Sequence, residues 1–351
     1  MTSKKLPVNI DDETKSVQRE KEKMLRKAQR LIYPIGTTRK RITAISTAIF
    51  TVFVVGFITL TVTLIYVFHD ESSFTYQISR IVPFPIGRVD SNLVTYEEYL
   101  FELRQATHFL TEKAQVDSST TSGKKLISQK RLEASEKVYN NALAENIAKS
   151  NKIKVTDEEV EQKVTVLKTQ VIDLNSDKKE SGNQTVKTED PRFEEILSEF
   201  YGWTENDLKR ALRLQIIKSK LPAAVDDVTK NKASKVRQKI IAEPTTFADQ
   251  AKVNSQDPKS AEKGGDLGFL DVQNSVAYPK EFLDVAESLK DGEVSKLVKT
   301  EFGYHILLRT ETNDKGVPKI SHILFKYRSV DDILKSELKS HTVKKFISVT
   351  K

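Results

Sequence analysis

The chain has 351 residues, 38% hydrophobic and 30% charged, which allows two soluble domains plus an anchor and reads as soluble and globular over most of its length. It contains no cysteine, which excludes disulfides, thiolate metal sites, a cysteine nucleophile and a lipid-modified cysteine anchor. The net charge of +8 sits mostly in residues 1–41, which carry 12 Lys/Arg against 5 Asp/Glu. Placed beside an apolar run, this charge points to anionic membrane lipid and not to nucleic acid, with a solvated retention signal as the alternative.

Residues 1–41 read as a basic cytoplasmic tail and residues 42–68 as a transmembrane helix. From Ile42 to Phe68, 27 residues pass without an Asp, Glu, Lys or Arg. A helix of that length spans about 40 Å, against a hydrocarbon core of roughly 30 Å. The run is rich in Thr, whose hydroxyls can bond back to helical carbonyls and so be tolerated in lipid. Tyr66 suits the far interface. Arg39, Lys40 and Arg41 flank the near side; Asp70 and Glu71 follow the far side, with no Lys or Arg before Arg80. The positive-inside rule keeps the N-terminus in the cytoplasm and sends residues 69–351 outside, in a single pass through the plasma (cell) membrane. A cleaved signal peptide would be shorter and end in small residues, so an uncleaved anchor is expected. A buried core helix is the other alternative, though such helices are seldom uncharged for so long.

Residues 69–94, which include Pro83 and Pro85, read as an extended linker. Amphipathic helices follow. Thr95 and Glu98 form a capping box before Tyr99, Leu103 and Leu110. A Ser/Thr-rich loop at Asp117–Gly123 leads to a helix near Lys125–Lys149. Thr156 and Glu159 form a second box, before Val160, Val164, Leu167 and Val171. The polar stretch from Asn175 to Asp190 is expected to be mobile; its Asn183-Gln184-Thr185 sequon is read as chance. Arg192–Tyr201 reads as a helix stopped by Gly202. Trp203, Thr204, Asp207 and Leu208 then form a hydrophobic staple around an N-cap, opening a helix that ends at about Leu221, before Pro222.

Three of these helix starts occur in a telling order: Val94-Thr95-Tyr96-Glu97-Glu98-Tyr99, Ile153-Lys154-Val155-Thr156-Asp157-Glu158-Glu159-Val160, and Tyr201-Gly202-Trp203-Thr204-Glu205-Asn206-Asp207-Leu208. Together they resemble the N-terminal helical chaperone domain of SurA/PrsA-type foldases, over roughly residues 87–221. The resemblance implies a SurA-like helical domain at 95–225 that cradles unfolded, apolar client segments. No polar residues in this region converge on a catalytic spacing, and an unrelated all-helical domain is the plainer reading.

The more specific stretch runs through Ser255-Gln256-Asp257-Pro258-Lys259-Ser260, Gly264-Gly265-Asp266-Leu267-Gly268-Phe269, Phe282 in a helix, a Lys290-Asp291-Gly292-Glu293 turn, and Phe302-Gly303-Tyr304-His305-Ile306-Leu307. It resembles the parvulin (PpiC-type rotamase) domain. Parvulins usually begin with a His-Ile-Leu strand; here Ser321-His322-Ile323-Leu324-Phe325 comes last. We read residues 226–328 as a circularly permuted parvulin-like domain, with a hairpin joining Tyr304–Arg309 to Ile320–Lys326 through Glu311–Gly316. Centring that hairpin between Asn313 and Asp314 puts His305 directly opposite His322, about 5 Å apart at Cβ. Two ordinary strand histidines are the alternative.

The resemblance implies prolyl cis/trans isomerisation, with His305, His322 and Asp257 as catalytic residues. Phe282 is implied as the residue contacting the proline ring, with Leu267 nearby, Tyr278 at a position where Met is common, and Thr300 orienting a histidine. Val276 competes with Tyr278 under a shifted alignment. Gly264, Gly265, Gly268 and Asp266 are read as turn residues. Residues 329–351 are read as a C-terminal helix, with Ile333, Leu334, Leu338, Val343, Phe346 and Ile347 on one face, returning to the helical domain. The expected fold class is α+β: a single transmembrane helix, a helical chaperone domain, and a parvulin-like antiparallel sheet flanked by helices.

The expected partners are unfolded or proline-containing polypeptides and membrane lipid, with no nucleic acid, metal or small-molecule cofactor. A catalytically inactive parvulin-fold chaperone that only binds clients is the rival function, and a structural anchor for an envelope complex a third. Hydrolase readings are weak, because the 5 histidines come with no GxSxG, HExxH or Cys/His pattern.

Overall fold

The computed structural model describes residues 10–32, 35–176 and 191–348; the sequon and most of the polar stretch lie outside them. The chain divides into two units, Met1–Asp70 and Glu71–Lys351.

The first unit contains α1 (Ile10–Ile32) and α2 (Ile35–Tyr66). Within α2, Lys40–Tyr66 is long and apolar enough to cross a membrane, with mean hydropathy 2.5. Its threonines solve their own solvation problem. Thr47, Thr51, Thr59 and Thr63 each donate to the carbonyl four residues back at 2.8 Å. A hydroxyl bonded in this way presents mainly its methyl group to lipid.

The stretch 69–94 is not an extended linker: most of it, from Glu71 on, is structured within the second unit. Ser72 caps α3 (Ser73–Ile81) through its hydroxyl. A hairpin follows, β1 (Pro85–Val89) and β2 (Asn92–Thr95), turned by Asp90 at φ +53. The prolines limit helix without preventing strand: Pro83 follows the α3 cap, and Pro85 is the first residue of β1, where a missing N–H is tolerated.

The helical region then comprises α4 (Tyr96–His108), α5 (Thr121–Ser150), α6 (Asp157–Ser176), α7 (Pro191–Ile196) and α8 (Glu205–Val225). Both expected capping boxes are present, at Thr95/Glu98 and Thr156/Glu159, and the expected N-cap at Thr204 proves to be a further box closed by Asp207. Leu110 falls in a π-turn beyond α4, and Gly202 ends another at φ +64. The α8 helix runs past Leu221, through Pro222 to Val225. A proline one turn from a helix end forfeits a single backbone bond there, and Asp226 N closes the end on the Pro222 carbonyl at 3.0 Å.

The sheet half holds α9 (Asp227–Ala242), α10 (Phe247–Asn254), β3 (Asp266–Phe269), α11 (Lys280–Ser288), β4 (Val298–Lys299), β5 (Gly303–Thr312) and β6 (Pro318–Lys326). The antiparallel sheet has the order β3-β6-β5-β4, so the last strand in sequence is central. Both its faces are buried. Tyr304, Ile306, Ile323 and Phe325 pack on α9 and α10, while Leu307 and Ile320 pack on α11.

The C-terminal segment is not one helix. The α12 helix (Val330–Glu337) buries Ile333 and Leu334, and the chain then extends as β7 (Val343–Lys345). An open edge of β1 accounts for the switch: Val343 pairs with Val89 and Lys345 with Gly87, completing the sheet β2-β1-β7. Asp90 secures it, accepting from Thr342 N at 2.9 Å and meeting His341 Nδ1 at 2.6 Å. The C-terminus therefore returns to the helical region, as a strand as well as a helix.

Candidate functional site

Strands β5 and β6 set the site. The hairpin pairs His305 with Leu324 and Leu307 with His322. The two histidines are therefore diagonal neighbours, and the direct opposition expected from sequence is wrong by two residues. Two local features move the register. The turn spans Asn313–Val317, with Asn313 Oδ1 accepting from the Lys315 and Val317 amides at 2.9 Å. The turn alone shifts the pairing by three residues, and a bulge between Arg309 and Glu311 takes one of them back. A two-residue shift keeps side chains on the same face, and the imidazoles still stack with centroids 5.6 Å apart.

The loop after α10 delivers the carboxylate. Gln256 N bonds the Leu324 carbonyl at 2.7 Å, and Leu324 N donates to Ser255 Oγ at 3.1 Å, which docks the loop along β6. Asp257 then meets His322 Nε2 at 2.9 Å. Ser260 donates to the same carboxylate oxygen and lies 3.0 Å from His322 Nε2. On the other side, Gly265 accepts from His322 N at 2.8 Å, at φ +84. A Cβ there would lie 2.3 Å from the His322 carbonyl, so the GGDLG turn must carry glycine at this position. Gly264 and Gly268 also sit at positive φ, and Asp266 caps the turn through Gly268 N at 2.8 Å.

The polar atoms form a directed chain. An ionised Asp257 only accepts, so His322 donates from Nε2 and, when neutral, accepts at Nδ1. His305 Nδ1, 3.4 Å away, is then the donor. That leaves His305 Nε2 to accept from Thr300 Oγ1 at 2.9 Å. Thr300 is held in turn by Phe302 N, which donates to its hydroxyl at 3.2 Å, and by Tyr327, whose hydroxyl donates to its carbonyl at 3.0 Å.

Burial sets the charge states. Each histidine is 3% exposed. Desolvation, reinforced by the facing His322, pushes His305 down to about 3. Desolvation also lowers His322, against the opposing pull of Asp257. Burial alone would raise Asp257, but hydrogen bonds from Ser260 and His322 outweigh it and hold the carboxyl at about 2. At neutral pH the site is one half-buried carboxylate with two uncharged, buried imidazoles.

Phe282 supplies the apolar wall. Its ring stands edge-on to both histidines, at 5.3 Å from His305 and 5.7 Å from His322, and is fully buried. Tyr278 stacks over it at 4.8 Å, and Leu267 packs into the same cluster. Val276, the alternative to Tyr278, is fully exposed to solvent. All seven residues expected from sequence thus gather at one place. Ser260 was missed, although its spacing from Asp257 is that of an ordinary turn cap and could have been read.

A second candidate surface lies in the helical region. A cavity of about 520 Å³ is lined by Phe193, Ile196, Leu197, Tyr201, Trp203 and Leu212, with Glu102, Lys137 and Lys218 at its margin. The charges there are linked: Lys137 pairs with Glu102 at 2.7 Å, and Asn141 bridges Glu102 to Lys218. Trp203 stacks on Phe101, and its Nε1 is buried with no partner among the described residues.

Comparison with known proteins gives the chain a family. Residues 217–311 match the rotamase model, described as a PPIC-type PPIASE domain. Foldase protein PrsA 4 of Bacillus cereus is 32% identical over 216 residues, covering 56% of this chain and 74% of that protein. Foldase protein PrsA of Geobacillus sp. (strain WCH70) is 35% identical over 214 residues, covering 50% of this chain and 75% of that protein. The chain belongs to the PrsA foldase family. A crystal structure of foldase protein PrsA from Streptococcus pneumoniae str. Canada MDR_19A aligns over 71% of this chain and 82% of that chain, at 18% identity and a TM-score of 0.21. The rotamase match ends at residue 311, so within this PrsA family member it leaves out β6 and His322.

Proposed function

We propose that the chain is a membrane-anchored, extracytoplasmic peptidyl-prolyl cis/trans isomerase and chaperone that assists exported proteins. The carrying observation is the dry, directed chain from Thr300 through His305 and His322 to Asp257, set against Phe282. Rotation about an X–Pro bond crosses roughly 18–20 kcal/mol, and resonance in the amide supplies that barrier. A pocket that withholds water from the amide favours the twisted, less polar form. In this reading Phe282 and Leu267 hold the proline ring. His305 and His322 line the turning amide without placing a full charge on it, and Asp257 fixes their tautomers. Thr300 orients His305.

Tyr278 now covers Phe282, so a proline ring reaches the wall only when Tyr278 turns aside. That cover is what favours the second reading, a chaperone that binds clients without turnover. The position of β6 between β3 and β5 supports the reading of residues 226–328 as a circular permutation, in which the hairpin returns the His-Ile-Leu strand from the far end of the sheet. We assign residues 95–225 to client binding through the apolar cavity, and residues 40–66 to the membrane, with the basic side inward.

The test uses the full-length chain in lipid nanodiscs. Cis/trans exchange of a prolyl tetrapeptide should be accelerated, and His305→Ala should lower the acceleration about tenfold to a hundredfold. No acceleration, together with suppression of client aggregation, would favour the binding-only reading. Protease added to intact spheroplasts should remove the region after Asp70 and spare the tail; protection of both ends would overturn the orientation.

A further inference from the structure

We infer that α1 lies in the plane of the cytoplasmic membrane surface, its apolar stripe at the acyl boundary and its basic side on anionic headgroups. This rests on the reading that Lys40–Tyr66 spans the membrane with the N-terminus inside. Helix α1 is continuous over Ile10–Ile32, and four of its apolar residues are uncovered: Val17, Met24, Leu25 and Leu31 are 55, 72, 60 and 80% exposed. At 3.6 residues per turn these four positions, with Ala28, fall within an arc of about 120°. Lys15, Arg19, Lys23 and Arg26 fall on the opposite side. A helix with one apolar stripe, a strongly charged back and low overall hydrophobicity is the kind that settles at a bilayer surface. Lys21 lies inside the apolar arc, where its stem can pack while its ammonium reaches the headgroups.

Two observations select lipid as the occupant. The first is tethering and charge. Only residues 33–34 separate α1 from α2, and the apolar span starts at Lys40. Even fully extended, residues 33–39 would reach no more than about 25 Å, so the bilayer is always at hand. From Lys15 to Lys27 there are 6 Lys/Arg and 2 Asp/Glu, a sign that complements an anionic leaflet. The second is the heptad pattern. Ile10, Val17, Met24 and Leu31 recur every seven residues, but the positions three further on are Glu13, Glu20 and Lys27. A seam charged at each of those positions does not pair with a second copy.

The chain has no cysteine, so single-site labelling is clean. Leu25→Cys, Glu22→Cys and Val55→Cys, each carrying an environment-sensitive fluorophore, are reconstituted in the full-length chain. The vesicles are phosphatidylglycerol with phosphatidylcholine, or phosphatidylcholine alone, with a lipid-borne quencher. In the anionic vesicles Val55 and Leu25 should be quenched and Glu22 should not, and Leu25 should lose most of its quenching in phosphatidylcholine alone. If Val55 is quenched while Leu25 stays as water-exposed as Glu22, the inference is overturned and the anchor stands. If Val55 is not quenched, the anchor itself fails. Quenching of Leu25 regardless of headgroup would overturn the electrostatic half. Energy transfer between Leu25 probes of neighbouring copies, without lipid quenching, would assign the stripe to a second copy.

Discussion

The helical cavity and the histidine site are two opposite kinds of surface within one unit. The cavity is wide, mostly apolar, and rimmed by a Lys137–Glu102–Asn141–Lys218 network. Apolar contact is non-directional, so such a surface accepts many sequences and does nothing further to them. The histidine site is its opposite: buried, stacked and locked by hydrogen bonds whose direction is dictated from Asp257. A surface that only binds can tolerate substitution at most positions. One that acts on a bond cannot, because each polar atom depends on the next.

Removing β6 should break the contrast most severely. A chain ending at Arg309 loses Ile320, Ile323, Phe325 and His322 from the sheet, and leaves β3 and β5 with unpaired backbone groups. Circular dichroism and proteolysis should show the sheet half unfolded. A folded, active truncation would refute the central placement of this strand. Next come the polar links. His322→Ala, His305→Ala and Asp257→Ala should each lower kcat/KM about tenfold to a hundredfold while leaving the fold intact. The His305/His322 double variant should be less than additive, measured as a double-mutant cycle. Full additivity would mean that the imidazoles act separately.

Acid should separate the two regions further. The folded-state pKa of His305 is about 3 and that of His322 is also lowered, against an unfolded value of 6.5. Between these values the unfolded chain takes up protons that the folded chain refuses, so stability falls as pH drops below 6.5. The slope is at most about 1.4 kcal/mol per pH unit for each histidine. Asp257, held at about 2, adds its own loss only as pH falls below 3.8. Denaturant melts at several pH values should show this slope, and His305→Phe should reduce it. An unchanged slope would mean that the imidazoles are not buried neutral.

Smaller effects test the cavity and the cover. Ile196→Asp should weaken suppression of client aggregation several-fold yet leave tetrapeptide turnover unchanged; equal losses in both would merge the two surfaces into one. Tyr278→Ala should raise kcat/KM a few-fold if the ring obstructs the wall, whereas a loss would make Tyr278 part of the proline contact.

Much of this was legible because it is local. Capping boxes, the Gly202 stop and the GGDLG turn depend on residues a few positions apart, and sequence spacing reports them directly. The same-face relation of His305 and His322 was legible too, since strand parity survives any even shift. The register itself was not, because a bulge near Thr310 and a five-residue turn are set by Arg309, Asn313 and Gly316 in three dimensions. The linker and the C-terminal helix were misread for one shared reason. Strands β1 and β7 complete each other across more than 250 residues of sequence, and neither has a pattern that reads as strand alone.

The most direct test of the account is the pH profile of prolyl isomerisation by the full-length chain, set beside that of His322→Ala. The account predicts turnover with no inflection near pH 6.5, because burial lowers both imidazoles below their ordinary value, and a tenfold to hundredfold fall in the variant. An inflection near pH 6.5, or undiminished turnover in His322→Ala, would contradict a mechanism built on a buried, uncharged histidine pair.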